Sequence, residues 1–462
     1  MTPTQTAPGI AIDVVLAVDT PDLGNRSYVV TDGRVAAVVD PPRDIDRIIR
    51  LCQDRGLSVG WVLETHLHND YVSGGLQLAR ETGARYGISA AEIVAFPRYA
   101  LPAGARLDVG ELTVEVVAAP GHTYGHVAYV VHVEGHPAAL LSGGSLLHGG
   151  VGRTDLSGAE HTAALARLQF RTAHSLASSL PPQTQLFPTH GFGSGCSVGA
   201  TPARMGSLAE EAEGNPVFAT SEDAFTRRME GVYPPPRSYA RIGPLNRVGL
   251  PPIDLSPPPL LSDAQLQDLA GDGVWVLDVR DRWLYCRGHI AGAVNIPWQR
   301  GWGEWVGRVL PPDAVVALVA DDAAQLADAQ WGLARLGIAR PVGAGIALDG
   351  GGDGSAPLVP QRVASFADVA AALAHGPAPV IIDVRRPEET AVGALQGVHR
   401  IPLDDLVADP SLAPAGRVWI HCAAGLRAGI AGSVLTRAGR DTVVVDDAWE
   451  HAVAAGLPIA HD

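Results

Sequence analysis

The 462-residue chain is poor in cysteine, in positive charge and in long apolar runs. Four cysteines at 52, 196, 286 and 422 are too few and too scattered for a disulfide framework, so a reducing, cytoplasmic setting is expected. Against 34 basic side chains stand 49 acidic ones, a formal charge of −15. That balance argues against general binding to nucleic acid or anionic lipid, though a local basic pocket remains compatible with it. No stretch reaches about 18 uninterrupted apolar residues, so no membrane span is expected. Met1 to Gly9 is polar, carries Pro3 and Pro8, and lacks the basic start and apolar run of a secretory signal. What is present, 47% apolar and 18% charged residues, is the composition of a globular protein, and the length implies roughly two to four domains.

Prolines punctuate the stretch from Tyr233 to Pro259, at 234–236, 251–252 and 257–259. Proline removes donors and blocks helix, so an extended connector is expected there. A glycine-rich joint runs from Asp349 to Pro360. Three regions follow, 1–255, 256–350 and 360–462. The last two repeat each other. V-W-V-L-D-V-R at 274–280 matches P-V-I-I-D-V-R at 379–385, and a proline follows each aspartate by nineteen residues, Pro297 after Asp278 and Pro402 after Asp383. Each apolar run ending in Asp-Val-Arg reads as a buried parallel strand and the loop after it, in two copies of one α/β domain. The first region mixes β-rich runs (Ser27 to Val30, Leu112 to Ala118) with helical stretches (Gly74 to Thr82, His161 to Ser178), which indicates α/β layering.

In the last copy, R-V-W-I-H-C at 417–422 reads as a strand ending on Cys422, followed by A-A-G-L-R and a helix over 428–438. A cysteine there faces the partial positive charge of a helix N-terminus. Together with Arg427, that charge should favour the thiolate. Gly425 lets the backbone curl so that amides of Ala423, Ala424, Gly425 and Leu426 can point at one sulfur or anion. The D-V-R strand, the C-x-x-G-x-R loop, Trp449 and the G-L-P that follows resemble the rhodanese (sulfurtransferase) family. In that family the cysteine carries a sulfane sulfur as a persulfide. The resemblance implies catalytic roles for Cys422 and Arg427, with 423–426 binding substrate. Phosphatases place a cysteine and an arginine on a similar loop of a related fold, so dephosphorylation is an alternative. The middle copy keeps G-H-I-A-G-A-V-N-I-P at 288–297, but V-V-A-L-V-A-D-D at 315–322 has no cysteine; that copy is expected to be silent, and Cys286 an ordinary surface thiol.

The first region holds E-T-H-L-H-N-D-Y at 64–71, A-P-G-H-T-Y-G-H at 119–126 and F-P-T-H-G-F-G-S-G-C at 187–196. His66 and His68, two apart on extended backbone, can face one metal. In this order the segments resemble the metallo-β-lactamase fold, and within it persulfide dioxygenase-like proteins, some fused to rhodanese domains. The tail S-Y-A-R-I-G-P-L-N-R-V-G at 238–249 is similar to the segment after the fold in those fusions. The chain departs from the pattern at Tyr71, where a second-site histidine belongs. It departs again at Gly144, in place of a metal-binding aspartate, and at Gly150, in place of another. The resemblance implies one metal ion, iron(II) favoured and zinc(II) the alternative, with His66 and His122 as ligands. His68, Asp70 or Asp155 would replace the missing carboxylate, and His190 would lie on the substrate side.

The expectation is thus an α/β chain, an N-terminal metallo-β-lactamase αββα sandwich followed by two rhodanese-like domains with parallel sheets. It would oxidise or transfer the sulfane sulfur of a low-molecular-weight thiol persulfide, with sulfite or thiosulfate as further small partners, and such fusions often form homo-oligomers. Two alternatives stand beside it. One is a sulfurtransferase whose first domain only binds; the other is a glyoxalase II-like thioester hydrolase, which needs two zincs and a bridging carboxylate.

Overall fold

Alternation of side chains along two sheets builds the first half of the molecule. In the computed structural model, which describes residues 14–199, 206–348 and 357–461, strands β1 (Val15–Thr20), β2 (Asn25–Thr31), β3 (Val35–Val39), β4 (Ser58–Leu63), β5 (Arg85–Ser89) and β6 (Tyr99–Leu101) form one sheet in sequence order. A second sheet, ordered β14-β12-β10-β9-β8-β7, uses β7 (Arg106–Val109), β8 (Leu112–Ala118), β9 (Val127–Val133), β10 (His136–Gly143), β12 (Gln185–Pro188) and β14 (Gly206–Ser207). A short pair, β11 (Gly150–Gly152) and β13 (Ser197–Gly199), lies apart from both. Tyr28, Val30, Ala37 and Val39 of the first sheet share one core with Val114, Val116, Tyr129 and Val131 of the second. Their neighbours point the other way. Val29, Ala36 and Val38 pack on helices Asp46–Asp54 and Gly75–Thr82 through Ile48 and Leu78; Val130 and Leu140 pack on helix Thr162–Ser179 through Ala166 and Ala173. Period-two strands buried on both faces give four layers, helix, sheet, sheet, helix.

The chain divides into two compact units, the first made of 1–253, 299–307 and 332–338, the second of the remainder. The division differs from the three regions expected from sequence, because two pieces of the middle region join the first unit. Charge holds one of them: the buried Arg335 bonds Asp44 at 2.6 Å and Asp22 at 2.8 Å.

The second unit contains a short antiparallel pair, β21 (Ala394–Leu395) with β25 (Ile459–Ala460), and two parallel sheets. One is ordered β16-β15-β17-β18, with β15 (Trp275–Asp278), β16 (Val294–Asn295), β17 (Val316–Ala320) and β18 (Ala344–Ile346). The other is β19-β24-β23-β20-β22, with β19 (Arg362–Ala364), β20 (Val380–Asp383), β22 (His399–Arg400), β23 (Val418–His421) and β24 (Thr442–Val445). Apart from the added β19, the two orders coincide strand for strand. Each copy also buries the same ion pair: Arg280 on Asp278 and Arg385 on Asp383, both at 2.7 Å, with the arginines reaching Gly288 O and Gly393 O.

The stretch expected to be an extended connector contains a helix instead, Tyr239–Val248, with Pro244 inside it. The flanking prolines leave these ten residues free to coil, and burial of Ile242 and Asn246 holds them. Asn246 donates to His68 O and Tyr71 O, both at 2.8 Å, and accepts from Ser73 N. Most of the glycine joint, 349–356, and the polar start lie outside the described residues. Among the described residues no helix is long and apolar enough to cross a membrane.

Candidate functional site

Three loops at strand ends bring the histidines of the first unit together. His66 and His68 follow β4, His122 follows β8 and His190 follows β12, and all four are buried. Ring nitrogens of His66, His122 and His190 lie within 4.8 Å of one another, with His66 Nε2 3.3 Å from His190 Nε2. Hydrogen bonding fixes each tautomer. His122 Nδ1 donates to Arg153 O at 2.7 Å, and His190 Nδ1 to Asn25 Oδ1 at 2.9 Å. Thr65 Oγ1 gives its proton to Asp40 at 2.7 Å, so at His66 Nδ1, 2.9 Å away, it accepts. All three Nε2 atoms are therefore lone-pair acceptors aimed into one space, and His122 Nε2 has no hydrogen-bond partner among the described residues. Burial and the neighbouring imidazoles push His66 well down; burial, then His190, pushes His122 down to about 3. His66 and His122 are thereby held as neutral imidazoles, the form that binds metal. Two nitrogens on a tetrahedral ion, each about 2.05 Å from it, stand about 3.3 Å apart, the separation seen between His66 and His190. Converging lone pairs with no donor among them fit a cation.

His68 and Asp70 form a second group with His190, and His68 a third with Asp40 and Glu64, each with ligand atoms within 4.8 Å of one another. His68 Nε2 lies 3.2 Å from Asp40 Oδ1 and 3.4 Å from Glu64 Oε2. Burial alone would lower it, but these two carboxylates hold it up at about 10. Asp70 stands behind His190: its Oδ2 is 3.3 Å from His190 Nδ1 and accepts from Asn25 Nδ2 at 2.8 Å. Asp155 is bound to Arg153 at 2.6 and 2.7 Å and supplies no replacement carboxylate. Tyr71 stacks on His68, ring centroids 4.3 Å apart, and donates to Asp40 O. Gly144 is coupled to His122. A Cβ built there would lie 2.4 Å from His122 Cδ2, so the imidazole occupies the space a side chain would need. His126, in the same G-H-T-Y-G-H string but not singled out from sequence, stacks on His66 at 4.8 Å and accepts from Gly144 N. Beside these loops lies a cavity of about 570 Å³, lined by Leu67, Asn69, Glu92, Thr123, Tyr124 and Arg247 among others.

In the second unit, β23 delivers Cys422, which is 2% exposed, to a loop that turns at Gly425 (φ 84°) into helix Leu426–Arg437. Leu426, expected in the loop, opens the helix; Ala423 and Ala424 remain outside it, Ala424 exposed. A Cβ on Gly425 would fall 1.7 Å from Asp446 Oδ1. Ala423 O accepts from Trp449 N at 2.9 Å. Trp449 in turn stacks on His421, at 5.6 Å and 12°. Arg427, expected to face the sulfur, is held by Glu389 through both ends of its guanidinium, Nη1–Oε2 2.5 Å and Nη2–Oε1 2.7 Å. Register pairs Asp278 with Val319 and Asp383 with His421, so Ala320 occupies in the middle copy the place of Cys422. Cys286 is half-buried, and burial pushes its thiol up to about 11, which leaves it inert at neutral pH.

Comparison with known proteins finds relatives for both parts of the chain. A family described as Rhodanese-like domain matches residues 262–351. Over 170 residues, 36% of this chain and 65% of the relative, the sequence is 34% identical to a hydroxyacylglutathione hydrolase of Acidiphilium cryptum. Over 168 residues, 35% and 59%, it is 36% identical to the enzyme of that name from Pseudomonas entomophila. The chain thus spans less than two thirds of the length of these curated relatives. A crystal structure of a metallo-β-lactamase from Staphylococcus aureus subsp. aureus COL is similar at TM-score 0.64 and 24% identity, covering 72% of this chain and 98% of that one. The chain therefore combines a metallo-β-lactamase fold with a rhodanese-like domain. The matched residues 262–351 hold the Asp278–Arg280 pair and not Cys422.

Proposed function

We propose that the protein is an enzyme of sulfane-sulfur metabolism in which Cys422 accepts a sulfur atom and the His66–His122–His190 centre holds one metal ion. Residues 360–462 are on this reading a second rhodanese domain, and the active one. The observation that carries it is the position of Cys422, at the end of a central parallel strand and on a loop closing onto a helix N-terminus. A helix N-terminus carries partial positive charge and suits an anion.

The Cys422 thiolate attacks the outer sulfur of a donor, the donor's S–S bond breaks, and a persulfide remains on Cys422 for transfer to a thiol or to sulfite. Gly425 shapes the turn, and Trp449 ties the loop down through Ala423 O. With the residue only 2% exposed, the donor must present a slim sulfur terminus. In the first unit the chain's own residues set tautomers: Arg153 O, Asn25 and Thr65 turn three lone pairs inward, and Gly144 leaves His122 its space. Bound iron would supply oxidising chemistry toward a thiol persulfide seated in the neighbouring cavity, whereas zinc would supply Lewis acidity.

The names of the curated relatives favour a second reading, hydrolysis of a glutathione thioester. Against a two-metal form of it stand Tyr71, packed on His68, and Gly144, where no carboxylate can bridge. Elemental analysis of the purified chain, then O2 uptake with glutathione persulfide and hydrolysis of a glutathione thioester, separates the readings. One iron per chain with O2 uptake is expected; zinc with hydrolysis and no O2 uptake would establish the second reading. Sulfur loading of Cys422 without O2 uptake would leave the first unit a binding module.

A further inference from the structure

Three arginines around the Cys422 loop have carboxylate partners. Arg427 lies in the first turn of helix Leu426–Arg437, five residues after Cys422, but Glu389 takes both ends of the guanidinium. Glu389 is itself fixed, because Oε2 also accepts from Arg386 N at 3.1 Å and so caps helix Pro387–Val392. The pair is mostly shielded, with side chains 15% and 32% exposed. Arg385 is bound bidentately by Asp383, and Asp446, pressed against Gly425, is bound to Arg282 of the middle copy at 2.8 Å. Three arginines meet three carboxylates, and no net positive charge is left by these pairs.

We infer that Glu389 sets the donor preference of Cys422 by neutralising Arg427, so that the site takes sulfur from a thiol persulfide in preference to thiosulfate. The inference rests on the reading of Cys422 as a sulfur acceptor. The two donors differ in the charge they bring. With a persulfide R–S–SH, the Cys422 thiolate bonds to the outer sulfur, the S–S bond breaks, and its electron pair leaves on R–S⁻. The proton stays on the transferred sulfur. One negative charge passes through the site, and no oxidant or reductant is consumed. With thiosulfate the same bond forms, but the leaving group is the sulfite dianion, so three negative charges must be accommodated together. An unpaired guanidinium would stabilise that load; one already neutralised does so far less.

The test uses the full-length chain and follows the gain of one sulfur atom on the Cys422 peptide by mass spectrometry, with glutathione persulfide and thiosulfate as separate donors. Wild type should load faster from the persulfide. E389Q should raise thiosulfate loading relative to persulfide loading by about tenfold, the size expected when one charge is removed from a partly shielded pair. E389D, which keeps the charge, should stay near the wild-type ratio. An unchanged ratio in E389Q, or slower thiosulfate loading because Glu389 merely aims Arg427, would overturn the inference. Ionic strength gives an independent check without mutation. In wild type, thiosulfate loading should hold steady or rise with salt; a fall would reveal a net positive site and overturn the inference too. If neither donor loads wild type, the assignment of Cys422 fails, which is a different result.

Discussion

Replacing Gly144 by alanine adds one methyl group 2.4 Å from His122 Cδ2, 2.7 Å from Cγ and 2.9 Å from Nε2. Ordinary contact begins at 3.4 Å, so the imidazole has to retreat by about 1 Å or the backbone around it has to shift. Metal–nitrogen bonds tolerate displacement by only about 0.2 Å, so a retreat of that size removes His122 from the ligand set. Losing one of three ligands should weaken binding by about 100-fold or more, whereas the overpacking itself costs about 1–3 kcal/mol of stability. The assay is competition with a chelator of known affinity, using zinc and iron(II) in turn, with thermal unfolding of the metal-free proteins as control. G144A should stay folded and lose the ion. A folded G144A that binds metal as tightly as wild type would show that His122 is not a ligand in this geometry.

Further outcomes follow from the same contacts. His68→Gln should keep metal stoichiometry, because His68 serves Asp40 and Glu64. It should also remove a pH dependence of stability. The folded-state value of about 10 exceeds the ordinary 6.5, so the stabilisation is complete below about pH 6.5 and is lost as pH rises toward 10. Thermal melts from pH 6 to 10 should slope downward in wild type and less in the variant, and equal slopes would contradict the pairing. Arg335→Ala leaves the buried Asp22 without its bonded cation and Asp44 with Arg47 alone; a loss of about 3–5 kcal/mol in denaturant unfolding is expected, and a loss under 1 would place that pair in solvent. Cys286→Ser should leave sulfur loading at wild-type rate, measured on intact protein.

Much of this was legible in the chain's spacing. The two Asp-Val-Arg landmarks announced parallel sheets whose strand order coincides, since a buried strand and its following turn leave a local signature. His66 and His122 could be singled out because their loops carry dense motifs. Partnerships across long separations could not be read. Glu389 lies 38 residues before the Arg427 it binds, and His190 lies 124 residues beyond the His66 it faces. Whether His68 coordinates a metal or serves two carboxylates depends on Asp40, a residue in no motif. The helix Tyr239–Val248 was hidden by the prolines around it, and only its fit against the histidine loop, through Asn246, reveals why it forms. Gly144 looked like a deletion of chemistry; with the His122 ring in place it is a steric requirement.

Mass analysis of the Cys422 peptide, after brief exposure of the full-length protein to glutathione persulfide and removal of excess donor, reaches the core of the account. It predicts one added sulfur on that peptide, released by a thiol or by sulfite and absent from C422S. An unmodified Cys422, or sulfur found on Cys286 instead, would contradict it.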